Sequence, residues 1–296
     1  MRPARSLLIY TVVVFAGGAL IAPWLYWLAQ SVAPHSHTAQ SPFHRFLDRS
    51  FLGLALLGIW PLMRSLGAKS ARDVGLVKPG GQWNLLVGGF ALGYGSLAAA
   101  AALALATHAR TINGFGVNHE LLPKIAEATA TAIIVAVLEE ILFRGAIFGA
   151  LRKTWNLSTA LLVSSMIYAI VHFIAKADLP GPVTWNSGFR LLPLMFGGFA
   201  NLPAVIAAFF NLTLAGVLLG LAYQRTGNLY FSIGLHAGWI FWLRFYGFLT
   251  LPAPHANLRL WGTDKLIDGW IAFAVLAVAL SILMRMLPAK PKPVSP

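Results

Sequence analysis

Leu138-Glu139-Glu140-Ile141-Leu142-Phe143-Arg144-Gly145 sets two adjacent carboxylates and a guanidinium inside an otherwise apolar stretch. An ionisable side chain at bilayer depth costs roughly 2.5 to 3.5 kcal/mol on insertion scales, so a cluster of three marks a functional site by default. On an α-helix the side chains at i and i+4 share a face, which pairs Glu140 with Arg144 and turns Glu139 about 100° away, beside Phe143. The stretch therefore predicts one glutamate neutralised by an ion pair and a second directed elsewhere.

The rest of the chain agrees with a membrane setting for this helix. Apolar residues are 58% of the sequence and charged residues 10%, a balance outside the range of soluble domains. The net charge of +13 is then read as cytoplasmic loops and contact with anionic lipid, and nucleic acid is not an expected partner. The sequence has no cysteine, which excludes disulfides, thiolate metal sites and a cysteine nucleophile. Chemistry is left to carboxylate, imidazole, hydroxyl and backbone.

Apolar stretches of about 20 residues, the length that crosses a bilayer, fall near 7–29, 50–66, 84–107, 127–150, 157–175, 203–223, 229–250 and 269–287. Backbone groups cannot stay unpaired in lipid, so the predicted fold is all-α, a polytopic membrane bundle of about eight transmembrane helices. The first stretch follows Arg2 and Arg5 and runs to about Ala29, longer than a signal-peptide core, and is read as an uncleaved span. Lysine and arginine are denser on the side that holds Arg2, Arg5, Arg64, Lys69, Arg72, Lys78, Arg152 and Lys153, which places both termini in the cytoplasm, in a bacterial inner membrane. Three regions are expected: 1–126 with the first helices and interfacial loops, 127–250 as the chemical core, and 251–296 as the last span with a basic, disordered tail.

Polar residues are concentrated in the later spans. Ser165, Tyr168 and His172 recur at helical spacing on one apolar helix, Asn211 lies in mid-span on the next, and His236 on the one after, a helical turn beyond Ser232. Gly93 with Gly95, and Gly216 with Gly220, are read as places where helices approach closely. The histidines His35, His37 and His44 lack a matching acidic set and are read as a solvated loop. His119 and Glu120 begin a zinc-protease pattern that fails, because Pro123 stands where the second histidine belongs. Residues 67–83 are expected at the headgroup level, and 176–202 is read as an inert connection, with a segment that lies on the membrane surface and gates access as the lesser alternative.

Three polar sites, Glu139 with Glu140 and Arg144, then His172, then His236, lie on separate apolar helices, and each is too costly to face lipid alone. One shared polar cavity is the economical arrangement. A carboxylate and two imidazoles around a water make a hydrolase: Glu139 takes a proton from water, and an imidazole donates to the oxyanion that forms when water adds to a carbonyl.

At these residues the chain resembles the CAAX prenyl endopeptidases and bacteriocin-processing enzymes, the CPBP or Abi family of intramembrane endopeptidases. The first motif, two glutamates followed by arginine, reads Glu139-Glu140-Ile141-Leu142-Phe143-Arg144. The second, an aromatic followed by histidine, reads Tyr168-Ala169-Ile170-Val171-His172. The third, a histidine with asparagine four positions on, reads His236-Ala237-Gly238-Trp239-Ile240, with isoleucine in place of the asparagine. The resemblance covers roughly 127–250, with a weaker trace at Val74-Gly75-Leu76. It implies that Glu139 and His172 activate water, that His236 is an oxyanion donor, and that Glu140, Arg144 and Tyr168 shape the site. Asn211 is the candidate to replace the amide lost at Ile240. The substrate it implies is a peptide or protein at the membrane, with or without a prenyl group. Three alternatives accompany this reading: a zinc-dependent version with Glu139, His172 and His236 as ligands, a non-catalytic immunity or scaffold protein of the same fold, and a transporter. No other cofactor is expected.

Overall fold

In the computed structural model the described residues are 3–114, 120–174, 177–200 and 202–288; His119 and the basic tail lie outside them. The chain is an integral membrane protein of helices. In order these are α1 (Pro3–Val12), a π-helical turn (Val13–Gly17), α2 (Gly18–Val32), α3 (Phe43–Ser65), α4 (Trp83–Ala106), α5 (Leu121–Glu140), a π-helical segment (Ile141–Phe148), α6 (Gly149–Arg152), α7 (Leu157–Val171), α8 (Ser187–Met195), α9 (Leu202–Thr226), α10 (Tyr230–Leu249), α11 (Leu258–Trp261) and α12 (Trp270–Met286). Short strands β1 (Arg110–Ile112) and β2 (Thr250–Pro252) pair antiparallel, with Thr111 opposite Leu251.

Each predicted apolar stretch is helical. Among the described residues, four helices have the length and hydropathy to cross a membrane, Arg5–Val32, Phe43–Ser65, Trp83–Ala106 and Val205–Thr226, while α7 and α12 are apolar but shorter. The helix that carries the glutamates gains its length by running from α5 through the π-helical segment into α6. Within these spans α-helical and π-helical hydrogen bonds satisfy the backbone inside one segment, as lipid requires.

The helices sort into two compact units, Met1–Lys69 with Ile170–Leu202, and Ser70–Ala169 with Pro203–Pro296. The first unit packs α2 against α3 and α8 around Ala19, Ala22, Phe43, Leu47, Leu191 and Met195. The connection after α7, read from sequence as inert, folds in part into α8. Gly188 allows this, since a Cβ there would run into the carbonyl of Ala19. His44 bonds Asp178 at 2.7 Å, tying the start of α3 to the same connection. That tie accounts for α3 beginning at Phe43, ahead of the predicted apolar stretch.

The second unit is built on α10, which packs along α4 and α5. Its contact with α4 is a close crossing of backbones: a Cβ on Gly89 or Gly93 would collide with the carbonyl of Phe231 or Leu235, and one on Gly234 with the carbonyl of Leu86. Small residues at four-residue spacing let helices meet this way where lipid offers no hydrophobic drive. Of the expected pair, Gly93 serves this contact and Gly95 does not, having nothing within 4 Å of its Cβ position. Gly216 and Gly220 admit Ser165 and Leu161 of α7 to the surface of α9.

Residues 70–82 form a strap within this unit. Val74 is buried, its carbonyl lies 3.0 Å from where a Cβ on Gly145 would be, and Gly75 takes φ +86 while its carbonyl accepts from the Leu229 amide. A left-handed φ is available to glycine without steric cost.

Candidate active site

The site begins where α5 ends. Glu139 and Glu140 occupy its last two positions, and the helix continues without a break into the wider turns of Ile141–Phe148. Such π-helical insertions are rare and recur at functional sites. Glu140 and Arg144 are both buried, and Nη1 of Arg144 donates to Oε1 of Glu140 at 2.9 Å, the ion pair predicted from their spacing.

The same carboxylate oxygen has a second partner. Nδ1 of His236, in the middle of α10, donates to Glu140 Oε1 at 2.9 Å. Glu140 is thus the joint between α5 and α10, a role that no local spacing could reveal because His236 lies 96 positions away. The hydrogen bond also selects the tautomer. A carboxylate accepts only, so the neutral ring carries its hydrogen on Nδ1, and Nε2 is the nitrogen directed to the remaining groups.

Two groups face Nε2. The Tyr168 hydroxyl lies 3.2 Å from it, and Oε2 of Glu139 lies 3.8 Å from it. The Glu139 side chain is 28% exposed where that of Glu140 is fully buried, although its Oε2, the oxygen beside Nε2, is itself buried. Arg144 sits 4.6 Å above the Tyr168 ring, whose edge contact with Phe143 completes the wall.

Five of the seven residues singled out by sequence thus converge: Glu139, Glu140, Arg144, Tyr168 and His236. Asn211 does not join them. Its amide nitrogen donates to the carbonyls of Ile267 and Gly269, holding the chain that leads into α12, so neither hydrogen is left for an oxyanion at His236. His172 lies in the turn after α7, is exposed, and belongs to the first unit. Ile240 is buried in an apolar cluster with Ala132, Ala136 and Ile233. Ser165 and Ser232 return their hydroxyls to carbonyls of their own helices.

Residues 121–242 match the family model described as type II CAAX prenyl endopeptidase Rce1-like. The chain carries an Rce1-like domain. It extends from the first turn of α5 into α10 and contains all three motif segments. No curated protein and no solved structure matches the chain.

Sequence reasoning missed the contribution of Val74 and Gly145 to this domain. The trace at Val74-Gly75-Leu76 was the available signal. Val74 presses its backbone against Gly145 one residue after Arg144, so the strap buttresses the turn from which the guanidinium projects. Among the described residues no three histidine, aspartate or glutamate side chains converge as a metal-ligating set.

Proposed function

We propose that the protein is an intramembrane endopeptidase that hydrolyses a peptide bond of a membrane-associated or lipidated substrate without a covalent intermediate. The Rce1-like domain supports the reaction class. The observation that carries the residue roles is the division of labour between two adjacent carboxylates, one fully buried and shared by Arg144 and His236, the other partly exposed with its Oε2 turned inward beside Nε2.

In this reading Glu139 takes a proton from water as its oxygen adds to the scissile carbonyl, and His172 is assigned to the same step by its motif alone. His236 then supplies a hydrogen bond to the oxyanion. Because its Nδ1 hydrogen is committed to Glu140, that bond requires a ring that has taken a second proton from solvent, on Nε2, before the attack, and the Glu140 carboxylate offsets its positive charge. Collapse of the tetrahedral intermediate breaks the carbon–nitrogen bond, and the proton held by Glu139 passes to the leaving amine. Arg144 orients Glu140 through the hydrogen bond from its Nη1. With both termini cytoplasmic, the substrate reaches the site from within or beside a bilayer rich in anionic lipid.

The test is cleavage of a mixed set of prenylated and plain peptides by the purified protein in lipid, with and without chelator. The reading expects cleavage that chelator leaves unchanged and that His172→Ala reduces by on the order of 10² or more. No cleavage by folded protein in any lipid would contradict it and would favour a non-catalytic role. Loss of cleavage on chelation, restored by zinc, would favour the metal-dependent alternative.

A further inference from the structure

The proposed chemistry gives no task to the hydroxyl of Tyr168. The ring is already fixed without it: Arg144 lies 4.6 Å over one face and Phe143 meets it edge-on at 5.1 Å. A phenylalanine ring would make both contacts, so packing does not account for the oxygen. Tyr168 is 3% exposed, and a buried hydroxyl needs a partner. His236 Nε2 stands 3.2 Å away.

Together with Glu140 on Nδ1, this contact holds the imidazole at both nitrogens. Rotation of the ring breaks both bonds, and exchange of its tautomer breaks the bond to Glu140, which can only accept. The Tyr168 bond has a property the Glu140 bond lacks, because a hydroxyl both donates and accepts. When Nε2 carries a lone pair, the phenol O–H donates to it. When Nε2 carries a hydrogen, the N–H donates to the phenol oxygen in the resting site and is shared with the oxyanion once that forms, while the hydroxyl hydrogen turns to another acceptor.

We propose that Tyr168 is a positioning residue for His236, holding Nε2 on one line in both protonation states so that the ring need not turn as its charge changes. The proposal rests on the endopeptidase reading for its effect on rate, whereas the hydrogen bond itself is measurable without substrate.

Tyr168→Phe removes the oxygen and keeps the ring. With histidine labelled by nitrogen-15 in lipid nanodiscs, the Nε2 resonance of His236 moves in the variant toward that of an unbonded nitrogen, while Nδ1 remains protonated. In the cleavage assay kcat falls by on the order of 10² with KM unchanged and thermal stability retained, the penalty expected of a misplaced reacting group. An unchanged Nε2 resonance overturns the proposal, as does a KM effect at constant kcat. Should the wild-type protein cleave nothing, the endopeptidase reading falls, and the resonance still decides whether Tyr168 holds His236.

Discussion

Two buried arginines, Arg110 and Arg144, are solved by the same means and put to different ends. Each is 2% exposed, each donates to a carboxylate, at 2.8 and 2.9 Å, and each lies over a tyrosine ring, Tyr246 at 4.5 Å and Tyr168 at 4.6 Å. The contrast is in what else they hold. Arg110 gives its other hydrogen bonds to the hydroxyl and carbonyl of Thr250, locking β1 to the end of α10, and its partner Asp264 is 68% exposed. Arg144 pairs with a carboxylate that is fully buried, shared with an imidazole, and adjacent to a second carboxylate. A buried ion pair alone therefore says little about function; the surplus of titratable groups around it separates a site from a lock.

The sharpest way to press this contrast is to remove each guanidinium. Arg144→Met leaves Glu140 buried with His236 as its remaining partner, and stripping one member of a buried pair costs about 3 to 5 kcal/mol. The expected outcome is a lower unfolding midpoint in detergent together with complete loss of cleavage. Arg110→Met leaves an aspartate that water already reaches, so about 1 to 3 kcal/mol is expected, with cleavage retained. Asp264→Asn keeps an acceptor for the buried Arg110 guanidinium but removes its counter-charge, so a loss of about 1 to 3 kcal/mol is expected. Equal losses from the two arginine variants would break the comparison. The smallest effect is expected at Gly95→Ala, which gains a better helix former in open space and should be neutral or slightly stabilising, whereas Gly93→Ala drives a methyl into the Leu235 carbonyl and should unfold the α4–α10 contact.

The same two arginines show what the sequence could convey. Arg144 was legible because it interrupts an apolar run, as were the helices, since long apolar stretches in lipid have few other forms. Arg110 stands between such runs and reads as an ordinary loop cation; its burial depends on Thr250, 140 positions away. The Glu140–Arg144 pair followed from helical spacing, but the Glu140–His236 bond did not, because it depends on how α5 and α10 cross. Glycines at four-residue spacing hinted at close crossings without saying which helices meet. The π-helical segment Ile141–Phe148 had no compositional mark, since its residues also suit an α-helix. Asn211 illustrates the converse: a mid-span amide demanded a partner, and the partner is backbone ahead of α12, not the site.

The most direct test of the central claim compares Glu139→Gln with Arg110→Met in one preparation, on one peptide that the wild-type protein cleaves in lipid. The account predicts that Arg110→Met cleaves at close to the wild-type rate, while Glu139→Gln, equally well folded, loses at least about 10³ in rate because its amide cannot take the proton from water. Cleavage by Glu139→Gln at the rate of Arg110→Met would contradict it.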